Sequence, residues 1–135
     1  SGLPVLHIVD ATADALRAAG VRRAGLLATR FTMAPGFYRE RLWQRHGIEA
    51  ITPDEAGSAE VHRLIYEELC LGRFEPASRE RLREAVARLA DRGAQAVILG
   101  CTELGLLLPP GSAAAVPLFD STALQARAAV DWMLG

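Results

Sequence analysis

Ala96 to Leu104 reads AVILGCTEL, an apolar run, a glycine, and then Cys101, Thr102 and Glu103 where a helix should begin. Aliphatic residues without polar alternation have the pattern of a strand buried on both faces, as in parallel sheets. Cys101 then stands at the carboxyl end of that strand. In an open parallel α/β sheet this edge is where ligands bind, and the following helix presents free N–H groups and its positive dipole end. A thiol so placed is expected to have its pKa lowered below the free value of about 8.5, giving thiolate near neutral pH. The position equally suits an inert thiol packed as a small hydrophobe, and the stretch alone leaves both readings open.

Working outward, the same strand-then-helix grammar recurs. Val116 to Phe119 reads as a strand and residues 121–134 as a helix, with Pro109 and Pro110 ending whatever helix follows GCTE. Upstream, Leu82, Ala85, Val86 and Leu89 repeat at helical spacing before Gly93, and Val61, Leu64, Ile65 and Leu69 do so before Gly72. Ala24 to Ala28 and Ile48 to Ile51 are further strands, and Phe37 to Arg45 a helix stopped at Gly47. Thr29 to Gly36 and Thr52 to Gly57 read as loops, and Val5 to Val9 as a strand before a helix over residues 10–20. Alternating strands and helices predict an α/β fold, a parallel sheet flanked by helices.

Composition narrows the function. At 135 residues the chain suits one domain with a sizeable core. A formal net charge of -1 offers no electrostatic case for nucleic acid. All 15 cationic residues are arginine, so no lysine is available to hold pyridoxal phosphate as a Schiff base. Cys70 and Cys101 are too few and too far apart for a disulfide framework or zinc set, which fits a reducing, cytoplasmic setting. His7, His46 and His62 have no metal-ligand spacing, and His7 is expected to be partly buried in its strand. No stretch reaches the roughly 18 apolar residues of a membrane span. Cys70, on a predicted helix beside Leu69, is expected to pack rather than react.

Two segments echo one another. PVLHIVDATA (Pro4 to Ala13) and VPLFDSTA (Val116 to Ala123) both run from a short apolar stretch into Asp, a small residue, Thr and Ala. Asp, Ser and Thr are favoured at any helix start, so Asp10, Thr12, Asp120, Ser121 and Thr122 are read first as caps. If the echo is a duplication, a partner to Cys101 belongs upstream of Asp10.

PVLHIVDAT, GLLATRFTM (Gly25 to Met33), IYEEL (Ile65 to Leu69), VILGCTEL (Val97 to Leu104) and PLFDSTA, in that order, resemble the aspartate/glutamate racemase family, in its aspartate or broad-specificity amino acid racemase branch. The resemblance implies two pseudo-symmetric flavodoxin-like α/β halves, each giving one catalytic cysteine to a shared cleft, without cofactor or metal. Cys101 matches the second-half cysteine. The first-half cysteine belongs to a Cys-Asn-Thr type turn expected upstream of Leu3, where this sequence has none. On this reading residues 3–20 are the last βα unit of a first half, and residues 21–135 the second. The chain is then completed by that half or forms a homodimer, and is not expected to racemise alone.

In such a two-base scheme one thiolate removes the α-proton while the opposed thiol returns one to the other face. The resemblance places Thr29, Thr32 and Thr102 at the amino acid substrate as donors to its carboxylate. Glu103, where the glutamate racemases carry histidine, would hold the ammonium or share a proton with the thiol. Arg30 could pair with a side-chain carboxylate. Each also has a plain structural reading, as a loop or helix cap, a first-turn acid or an exposed arginine. Two alternatives stay open: a single-cysteine decarboxylase of the arylmalonate type, and a non-catalytic α/β binding domain with a buried cysteine.

Overall fold

The structure is a computed structural model that describes residues 8–33, 37–108 and 115–134. Its elements in order are α1 (Ile8–Ala18), β1 (Arg23–Leu27), α2 (Arg30–Met33), α3 (Phe37–His46), β2 (Glu49–Ile51) and α4 (Glu55–Glu67). A 3₁₀ turn (Leu69–Leu71) leads to α5 (Pro76–Asp91), β3 (Ala96–Leu99), α6 (Thr102–Leu107), β4 (Leu118–Asp120) and α7 (Ser121–Leu134). The four strands form one sheet in the order β2-β1-β3-β4, every pairing parallel. The α/β class and the parallel sheet are as the sequence predicts.

The apolar runs behave as their patterns require. All four residues of β3 are buried, as are the last four of β1, because helices cover both faces of the sheet centre. Gly25 leaves room for α5: a Cβ there would stand 2.7 Å from Leu89 Cδ1. On the other layer α1, α3 and α7 pack against one another. The chain leaves β1 toward β2 and then returns across β1 to β3. The strand order therefore reverses between β1 and β3, the kind of point at whose carboxyl ends open α/β sheets bind ligands.

Four expectations are corrected. Ile8 and Val9 are helical, not strand: Val9, Thr12, Ala13 and Leu16, at i, i+3, i+4 and i+7, are completely buried, so the apolar run is a helix face. Residues 5–7, with His7, lie outside the described residues, as do Pro109 and Pro110. Residues 30–33 of the expected loop form the single turn α2. Helix α4 starts three residues earlier than the glycine suggested, because Asp54 caps it by accepting the Gly57 N–H at 2.7 Å. Cys70 lies on the 3₁₀ turn and is exposed, so it does not pack. Among the described residues no helix is long and apolar enough to cross a membrane, and no group of three or more His, Cys, Asp and Glu could hold a metal ion.

Candidate active site

Cys101 closes β3 and occupies the N-cap position of α6, in extended backbone (φ -139°, ψ 134°). The Gly100 N–H donates to Leu27 O at 2.8 Å, which ties the turn after β3 to the end of β1. Glycine is needed there: a Cβ on Gly100 would stand 3.0 Å from Ala28 Cβ. Strand register pairs Leu27 with Leu99, so the turn holding Ala28 and Thr29 and the turn holding Gly100 and Cys101 leave neighbouring strands at the reversal point. Thr29 is half-buried, and its carbonyl accepts the Met33 N–H that closes α2.

The sulfur is half-buried, and the Cys101 S–H donates to Glu103 Oε2 at 2.7 Å. The thiol pKa is pushed up to about 11, first by burial and then by the Glu103 carboxylate. Backbone N–H groups of Glu103 and Leu104 pull the other way without prevailing. The expected lowering is therefore overturned. A six-residue helix start does favour thiolate, but loss of water and a neighbouring anion cost the charged form more. The same bond holds the Glu103 carboxyl below its ordinary range, with its own backbone N–H contributing, so the proton stays on sulfur.

Of the other residues singled out, Thr32 lies in α2 and Thr102 opens α6, but their side chains lie outside the described ones. Arg30 is exposed. Asp120 caps α7, accepting the Ala123 N–H at 3.1 Å. Asp10 sits inside α1 rather than at a cap. Its carboxylate accepts two hydrogen bonds from Arg41, at 2.9 and 2.7 Å, and lies 2.8 Å from His46 Nε2. These neighbours, Arg41 above all, hold the Asp10 carboxyl well below the usual carboxylate range. Thr12 and Ser121 are buried partners, with hydroxyl oxygens 3.0 Å apart.

A family model described as Asp/Glu/hydantoin racemase matches residues 1–129. The chain belongs to this family. A crystal structure of a Yersinia pestis protein, provisionally assigned as an Asp/Glu racemase, is 50% identical with a TM-score of 0.92, covering 99% of this chain and 58% of that one. An aspartate racemase homologue from Pyrococcus horikoshii OT3 is 32% identical with a TM-score of 0.89, at the same coverage. A Pectobacterium carotovorum subsp. carotovorum protein, uncharacterised, is 35% identical over 105 residues, 77% of this chain and 67% of its own length. This racemase-family chain thus spans 58% of the length of the two structural relatives.

One neighbour of the site escapes sequence reasoning. His62, in α4, accepts the Arg30 N–H at Nδ1, 2.9 Å away. Its spacing from the other histidines marks no metal site, and a contact spanning 32 residues leaves no local signature.

Proposed function

We propose that this chain supplies one of the two thiol acid–base groups of a cofactor-independent amino acid racemase acting on an acidic amino acid of the aspartate or glutamate type. The observation that carries the reading is the Cys101 S–H, held at the strand-order reversal in the turn beside the one that carries Thr29, and directed onto Glu103. In one direction an opposing thiolate removes the α-proton, and its electron pair is delocalised into the substrate carboxylate. Cys101 gives its proton to the opposite face and becomes thiolate. In the other direction Cys101 is the base, and its high pKa makes it a strong one against a weakly acidic C–H.

Thr29, Thr32 and Thr102 donate to the substrate carboxylate, where charge develops, and Glu103 meets the ammonium. The opposing cysteine comes from a first half, of which residues 3–20 are the last βα unit, or from a second copy in a homodimer. Exposed Leu71 and Leu106, on the 3₁₀ turn and α6 that pack together, support such a covered face in a cytoplasmic protein.

The test is incubation with L-aspartate or L-glutamate in deuterium oxide. This polypeptide alone is expected to leave both amino acids optically unchanged, and full racemisation would overturn the half-site reading. In the longer protein Cys101→Ala is expected to abolish interconversion from both enantiomers, and retained activity would remove Cys101 from the mechanism. One observation favours the non-catalytic alternative, the raised thiol pKa, since a merely buried cysteine has it too. Racemase activity of the longer protein that is lost in Cys101→Ala separates the two, because a non-catalytic domain has no turnover to lose.

A further inference from the structure

The geometry points to His62 as a positioning residue for the substrate-binding turn that follows β1. Arg30 is the first residue of α2, and its N–H is one of those a helix start leaves without an intrahelical partner. His62 Nδ1 accepts it at 2.9 Å. An accepting Nδ1 carries no proton, so the neutral ring is fixed as the Nε2–H tautomer.

The imidazole stands on a rigid support. Its neighbours Val61, Leu64 and Ile65 are buried against the core, and its ring lies 4.7 Å, centroid to centroid, from Tyr66 at a 46° tilt. Helices α2 and α4 pack together, so this bond sets where the turn sits relative to the sheet. Thr29 immediately precedes Arg30, in the turn that leaves β1 beside the turn carrying Cys101. The hydrogen bond lies at the exposed rim, where water could replace it, so its contribution to folding is small. What it determines is the position of the Thr29 donors. The inference rests on the proposed reading of Thr29 as a carboxylate donor.

The experiment measures, in the longer protein, protection of Cys101 from iodoacetamide by L-aspartate or L-glutamate at pH 9, with peptide mass mapping to keep exposed Cys70 and any other thiol out of the signal. His62→Leu is expected to raise the half-protecting concentration about fivefold, the size of one net hydrogen bond, with the melting temperature unchanged. His62→Asn, whose Oδ1 can accept the same N–H, is expected to recover most of the loss. Should His62→Leu fail to fold, His62→Gln, whose acceptor reaches too far, carries the same expectation. Protection in His62→Leu equal to wild type would overturn the role of His62 while leaving the site intact, as would an Asn variant no better than Leu. Absence of protection in the wild-type longer protein would overturn the carboxylate site itself, and the positioning role with it.

Discussion

Cys101 sits between opposed influences. The backbone N–H groups of Glu103 and Leu104 favour thiolate, whereas burial and the Glu103 carboxylate favour the thiol, and the balance falls at about 11. Glu103→Gln removes the anion but leaves the burial. The pH midpoint of Cys101 alkylation is expected to move down while staying above the ordinary thiol value of 9.0. An unmoved midpoint would assign the whole effect to burial. Stability carries the complementary sign. Between the ordinary value of 9.0 and about 11 the unfolded chain releases the thiol proton first, so this group stabilises the fold fully below that window and loses its contribution across it. Cys101→Ser is expected to flatten that part of the curve of melting temperature against pH, relative to wild type.

At the scale of elements, the site depends on two turns lying side by side, and Gly100 is what allows them to. An added Cβ would be 3.0 Å from Ala28 Cβ and 3.5 Å from both Leu26 Cδ1 and Leu27 O, so the ends of β1 and β3 would have to separate. Gly100→Ala is expected to destabilise by about 1–3 kcal/mol in urea denaturation, as overpacking does. It should also lower any amino acid protection of Cys101. Unchanged stability and protection would mean the turns have slack. The strands and longer helices were legible because burial on both sheet faces removes polar alternation, and one-sided burial imposes helical spacing. What was not legible depends on partners distant in sequence. The strand read into Ile8 and Val9 is the start of a helix whose Thr12 meets Ser121, and the direction of the Cys101 pKa follows from where Glu103 points rather than from which residues are present.

For the molecule as a whole, the described parts of the two segments that echo in sequence, from Ile8 and from Val116, meet in space. Helices α1 and α7, each beginning near an Asp, a small residue, Thr and Ala, pack against each other, and α3 joins them through Tyr38. The Tyr38 hydroxyl lies 2.5 Å from Ser121 Oγ, which is 3.0 Å from Thr12 Oγ1. Thr12, Tyr38 and Ser121 are all buried, and burial pushes the Tyr38 phenol above its ordinary range, so it keeps its proton for hydrogen bonding. Three hydroxyls shut away from water stabilise this seam only while they satisfy one another. Tyr38→Phe leaves Thr12 and Ser121 paired and is expected to cost about 1 kcal/mol, whereas Ser121→Ala removes the hydroxyl bonded to both others and should cost more. Because the groups share one network, the two losses are not expected to add. A double-mutant cycle by urea denaturation should give a coupling of at least about 0.5 kcal/mol. Strict additivity would mean that α1, α3 and α7 are held by their apolar faces alone, with the hydroxyls merely tolerated between them.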